Sequence, residues 1–156
     1  MDTNVIEMEA PLPGVDTNER ILRCVMTALN EGRISEAVNQ FDDHFSFNDH
    51  ALDLEFTAKE RLTEFFQKSR ELFADSHLEV ESFSECGDHV IARWKLTATQ
   101  DQNYGGFGRR RVRISLQGVS IAYFENERIV RWSDFYDATK SWRFGLAGLF
   151  KDWIEY

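Results

Sequence analysis

Apolar residues recur along this chain at two periods, one helical and one alternating. Ile21, Leu22, Val25, Ala28 and Leu29 fall on one face of a 3.6-residue repeat. Asp16 stands where an N-cap belongs, Glu19 holds the capping-box position behind it, and Gly32 is a natural left-handed stop. The first helix is therefore expected between Asp16 and Gly32. Ile34, Val38 and Phe41 predict a shorter helix over 34–41. Phe45 and Phe47 then alternate with Ser46 and Asn48, the mark of a short strand, and 51–56 reads as a loop. Thr57-Ala-Lys-Glu60 resembles a capping box ahead of Leu62, Phe65, Phe66, Ser69, Leu72 and Phe73, a wide apolar face on a helix ending near residue 74. That face is too aromatic for a surface helix and should lie across a sheet.

Alternation dominates the next sixty residues. Strands are expected over 77–86 and 89–99, joined at Gly87-Asp88 as a hairpin. A polar, glycine-rich loop follows over 100–108. A long strand over 111–124 contains Gly118, which suggests a bulge or bend. After the turn Glu125-Asn126-Glu127, a last strand runs over 128–137. Trp142, Leu146, Leu149, Phe150 and Trp153 make residues 139–156 read as a C-terminal helix, despite Gly145 and Gly148. It would lie over the sheet or a pocket mouth, or pack on a partner subunit. Residues 1–15 are acidic, carry both prolines, and read as a flexible arm.

Helices first and antiparallel strands after predict an α+β fold, with the helices gathered on one face of the sheet. A strongly curved sheet wrapped around the N-terminal helices leaves a cone-shaped cavity, the usual place for a small-molecule site. The 156 residues suit one domain, 16–156. Apolar content of 42% and charged content of 29% are those of a globular protein. A net charge of −9 argues against nucleic acid or an anionic membrane as the partner. The cluster Arg109-Arg110-Arg111 with Arg113 is too short to change that reading. Cys24 and Cys86 have no metal-ligand spacing and read as buried free thiols of a reducing compartment. With no basic-apolar leader at the start and no apolar run of about 20 residues, a cytoplasmic location is expected.

Chemistry concentrates in the last strand. Faces alternate along a strand, so Val130, Trp132, Asp134 and Tyr136 should share one face, with a carboxyl group between two large aromatics. Such a group either finds a charge partner or has its pKa raised, and both occur at acid/base sites. His44, Asp49, His50, Asp42 and Asp43 do not form a metal-ligand pattern, because a strand would send Asp49 to the face opposite His44 and His50. Gly105-Gly-Phe-Gly108 lacks the context of a phosphate loop, and no nucleophile elbow occurs.

The order of elements, and above all the stretch from Gly118 to Asp137, resembles the nuclear-transport-factor-2-like superfamily. That group includes SnoaL-like polyketide cyclases, ketosteroid isomerase and limonene-1,2-epoxide hydrolase. The likeness covers roughly 16–137, and Trp132-Ser-Asp-Phe-Tyr-Asp137 is similar to the Trp-x-Asp-Tyr-Phe-Asp ending of the epoxide hydrolases. By that resemblance Asp134 is the acid/base group, Arg93 falls on the position of a bridging arginine, and Asn48 falls near a water-holding asparagine. Lys95 stands where the hydrolases have their second acid, and Ser46 replaces a tyrosine, which disfavours epoxide hydrolysis. Arg93 and Lys95 share parity, so both are expected to face Asp134, hold its pKa down and stabilise an oxyanion. The resemblance then implies a cofactor-free cyclase or isomerase acting beside a carbonyl of a small apolar or aromatic compound. Trp132, Tyr136, Asn48, Phe47 and His50 would contact that substrate, and no metal is expected. Trp94 is a further candidate for shaping the pocket, although it has the wrong parity if Arg93 points inward. A non-catalytic ligand-binding or assembly module is the alternative, and the family's habit implies a homodimer through the outer sheet face.

Overall fold

The structure, a computed structural model, describes residues 16–73, 75–103 and 109–137, with backbone alone at 100–103, 109–110 and 112. The arm at 1–15 and the helix expected over 139–156 lie outside the described residues. Helices α1 (Thr17–Glu31) and α2 (Ile34–Val38) lead into strand β1 (Phe41–Asp49). Strand β2 (Leu54–Phe56) and helix α3 (Lys59–Leu72) follow. The chain then runs through β3 (His77–Cys86), β4 (His89–Asn103), β5 (Arg109–Glu125) and β6 (Arg128–Tyr136). The six strands form one sheet in the order β2-β1-β6-β5-β4-β3.

This is the expected α+β architecture with local departures. The sheet is mixed rather than wholly antiparallel, because β1 pairs parallel with β6 while every other pair is antiparallel. The expected loop at 51–56 contains β2, whose Leu54 and Phe56 are buried against the core. Register shifts between Phe41 and Ser46, Val80 and Ser82, and Tyr123 and Phe124 bend the sheet. The long strands β4 and β5 curl around the helices as a result. Gly118 is not one of these irregular points; it pairs regularly with Trp94.

Helix α1 forms as its pattern predicts, with Ile21, Leu22, Val25, Met26 and Ala28 buried and Gly32 ending it at φ 76°. Its N-terminus is capped differently from expectation. Asp16 makes no side-chain cap bond; instead the Glu19 backbone N–H donates to Glu85 Oε2 of β3 at 3.2 Å. Helix α3 likewise starts without a side-chain cap, at Ala58, so its position comes from burial of Leu62 and Phe65. The rings of Phe65 and Phe66 meet Phe47 of β1 at 6.0 and 5.5 Å between centroids. Phe41, Phe47, Leu22, Leu62, Ile114 and Ile129 are the largest wholly buried apolar side chains, all between helices and sheet. Cys24 is half-buried and Cys86 exposed, so the expectation of two buried thiols fails at Cys86. No helix among the described residues is long and apolar enough to cross a membrane.

Candidate active site

Cross-strand register decides which side chains meet inside the cone. Directly paired residues share a face. The pairs Ala92–Ser120 and Ser120–Asp134 join β4, β5 and β6, and Asp49–Asp134 joins β1 to them. One step along, Trp94 pairs with Gly118 and Gly118 with Tyr136; one step back, Trp132 pairs with Phe47. Phe47, Asp49, Trp94, Ser120, Trp132, Asp134 and Tyr136 therefore share the concave face. They line a cavity of about 230 Å³, closed on the other side by Met26, Leu29, Phe65, Phe66 and Phe73.

Asp134 sits at the centre of a hydrogen-bond cluster. Its Oδ1 accepts from Trp132 Nε1 at 2.6 Å and from Ser120 Oγ at 2.5 Å. Ser120 Oγ in turn accepts from Trp94 Nε1 at 2.8 Å. Among the described residues Oδ2 receives no donor. Burial in this apolar cavity lifts the Asp134 pKa to about 7, and the neighbouring Asp49 carboxyl adds to the rise, against the two hydrogen bonds. Asp49 is itself only 4% exposed. Its Oδ1 accepts the backbone N–H groups of Ala51 and Leu52 (3.0 and 2.9 Å), and its Oδ2 accepts the Tyr136 hydroxyl at 2.9 Å. Burial raises the Asp49 pKa despite these donors, and burial followed by Asp49 raises that of the Tyr136 hydroxyl.

Several expected residues are elsewhere. Arg93 and Lys95 do not face Asp134. They occupy the alternate positions of β4, on the convex side, where Arg93 Nε pairs with Glu81 at 2.9 Å and Lys95 lies opposite Glu79. Trp94 takes the inward place, since Val90, Ala92, Trp94 and Ala98 are the buried members of β4. The expected depression of the Asp134 pKa is thus reversed: among the described residues no cation offsets its desolvation. Asn48 also points outward, beside Ser46 (3.4 Å), and the exposed His50 stacks on Phe135 at 4.4 Å between ring centroids, outside the cavity. Val130 leaves the inward set because the shift near Tyr123 gives its place to the fully buried Ile129. Trp132, Tyr136 and Phe47 line the cavity as expected. Among the described lining residues the cation is Arg70 of α3, whose Nη1 donates to the Asn30 carbonyl at 3.2 Å. No group of three or more metal-ligating side chains occurs among the described residues.

Asp49 and Ser120 are the site residues that the sequence reading passed over, whereas Trp94 entered it as a pocket residue of the wrong parity. Both of the missed residues had a visible signal. Asp49 continues the inward alternation Phe45, Phe47, and Ser120 is the one polar side chain in the series Ile114, Leu116, Gly118, Ser120, Ala122, Phe124.

Comparison with known proteins agrees with this fold. The family model of SnoaL-like polyketide cyclase matches residues 19–143. No curated protein sequence matches the chain. A Shewanella putrefaciens protein assigned as a SnoaL-like polyketide cyclase is similar in structure, with a TM-score of 0.70 at 13% identity, over 83% of this chain and 86% of that one. A protein of ketosteroid isomerase-like fold from Catenulispora acidiphila, in complex with trimethylamine, gives 0.61 at 15% identity over 74% and 84%. TerC, co-crystallised with polyporic acid, gives 0.69 at 13% identity over 82% and 97%. With the family match spanning most of the sequence and the cone present in the fold, this chain belongs to the SnoaL-like polyketide cyclase family.

Proposed function

We propose that this protein is a cofactor-free acid/base enzyme, a cyclase or isomerase that moves a proton beside a carbonyl of a small apolar or aromatic compound. The observation that carries the reading is Asp134: a carboxyl group poised near pH 7, walled by aromatic rings, with one oxygen held by two donors and the other open to the cavity. A group titrating near neutrality is matched to both halves of a proton transfer. Ionised Asp134 takes an α-proton through Oδ2 and leaves an enolate. The same proton is returned to another carbon in an isomerisation. In an aldol cyclisation the enolate carbon attacks a second carbonyl of the same molecule, and the proton goes to the new alkoxide.

The enolate oxygen needs a donor, and Arg93 and Lys95 are on the wrong side of the sheet to provide one. Tyr136 is in place for that role. Its hydroxyl donates to Asp49 Oδ2 at 2.9 Å, and it would serve the substrate by exchanging that acceptor for the enolate oxygen. A cavity of about 230 Å³ suits a small substrate. TerC with polyporic acid and the Catenulispora protein with trimethylamine support a small organic ligand in this fold.

The test is solvent-deuterium exchange into the α-position of a panel of cyclic ketones and polyketide-like diketones, followed by NMR. Exchange by the unaltered protein and its loss in Asp134→Asn, with ligand affinity kept within a few fold, is the expected result. Binding without exchange by the unaltered protein would favour a second reading, a non-catalytic ligand-binding module. The lack of a cation beside Asp134 among the described residues is the observation on that side. Epoxide hydration, the third possibility, lacks its bridging arginine, since Arg93 is outside the cavity. A homodimer through the convex face is part of the proposal; Phe135, 45% exposed there, supports it, and the mass from sedimentation velocity in solution tests it.

A further inference from the structure

We infer that Trp94 and Ser120 act as a positioning relay that fixes the Asp134 carboxyl group with Oδ2 turned to the cavity. An indole N–H can only donate, so at 2.8 Å Ser120 Oγ is its acceptor. The serine hydroxyl proton must then point elsewhere, and Asp134 Oδ1 at 2.5 Å is where it goes. Ser120 is 1% exposed, so bulk water does not compete for that proton. Trp132 Nε1 brings a second donor to the same oxygen at 2.6 Å. With both donors on Oδ1, carboxyl rotation is blocked, and a proton taken up by Asp134 sits on Oδ2.

Gly118 is what lets Trp94 take part. A Cβ at this glycine would lie 2.4 and 2.5 Å from two carbons of the Trp94 ring and 2.9 Å from the Phe135 carbonyl oxygen. The indole can occupy the space beside Gly118 only because that side chain is missing. Trp94 and Ser120 are thus positioning residues: they act on the ligand through Asp134. Among the described residues, the other titratable or charged groups lining the cavity are Asp49 of β1, Tyr136 of β6 and Arg70 of α3, and all three are unaltered in the variants below.

The role of the relay in turnover rests on the proposed acid/base function, but its existence can be tested without substrate. The protein, labelled with ¹³C at aspartate carboxyl carbons, is titrated by NMR, and Asp134 is identified by its absence in Asp134→Asn. Ser120→Ala should raise the Asp134 midpoint by about one pH unit, because the ionised form loses a donor. Trp94→Phe should raise it less, since the freed hydroxyl then samples other directions. The Trp94→Phe, Ser120→Ala double variant should match Ser120→Ala alone, as members of one chain do. If Ser120→Ala does not fold, Ser120→Cys, a weaker donor of similar shape, should give a smaller rise. An unmoved midpoint in the serine variants, or a Trp94 effect that adds in full to that of Ser120, overturns the relay. Midpoints that shift as expected in a protein that exchanges no α-proton would leave the relay standing and remove the enzyme reading.

Discussion

Replacing Asp134 by asparagine should stabilise the fold while abolishing turnover, and the pH dependence of the stability gain measures how dry the cavity is. Burial takes Asp134 from an ordinary carboxyl value of 3.8 to about 7. Between those two values the folded chain keeps a proton that the unfolded chain releases, so wild-type stability falls as pH rises. The fall is about 1.4 kcal/mol per pH unit across roughly three pH units, about 4 kcal/mol in all, and it levels off above about pH 7. Below about pH 4 both forms are protonated and the penalty is gone. Asparagine has no proton to lose, and its amide oxygen can still accept from Ser120 and Trp132. The advantage of Asp134→Asn should therefore grow by about 4 kcal/mol between pH 4 and pH 8. Asp49, relieved of a charged neighbour, adds to the gain. Urea denaturation followed by tryptophan fluorescence reads this directly. At an m-value of about 2 kcal/mol/M the midpoint difference should widen by roughly 2 M urea. A difference flat to within about 0.5 kcal/mol over that range would show Asp134 ionising as it does in water, and the basis for its acid/base role would be gone.

Three further outcomes follow from the same geometry. Arg93→Ala and Lys95→Ala should each change stability by no more than about 0.5 kcal/mol and leave ligand affinity unchanged, because both lie on the convex face; a tenfold loss of affinity in calorimetry would put them back in the site. Tyr136→Phe keeps the ring but takes the donor from Asp49 Oδ2, so it should cost about 1–3 kcal/mol at pH 8, and less at pH 5, where more of Asp49 is protonated. Equal losses at both pH values in urea melts would break the link to Asp49. Phe47→Ala removes a 1%-exposed ring stacked on Trp132 at 5.9 Å and should cost about 3–5 kcal/mol by chemical denaturation, whereas a cost below about 1 kcal/mol would mean that the aromatic wall is loosely packed.

By itself, the sequence determined the elements and much of the facing. Helices α1 and α3, the β3–β4 hairpin and the stop at Gly32 rest on local period and local backbone preference, so short windows suffice to read them. The shared face of Trp132, Asp134 and Tyr136 follows from alternation alone. Alternation also held the correct reading of β4, where Val90, Ala92, Trp94, Leu96 and Ala98 form an unbroken apolar series and Arg93 and Lys95 fall between its members. Arg93 and Lys95 could face inward only by turning that series out to solvent, so the apolar alternation outweighs the family position and puts Trp94 in the cavity.

Tertiary structure alone decided which groups meet. The parallel pairing of β1 with β6 sets Asp49 against Asp134, and the β5 register sets Ser120 beside them. Neither contact has a trace in local pattern, because strand pairing joins segments far apart in the chain. The direction of the Asp134 pKa was decided the same way. Two cations across the sheet and apolar rings on the near side make desolvation, rather than attraction, the larger effect. A carboxyl group's charge state depends on what surrounds it in space, and the order of residues fixes that only through the fold.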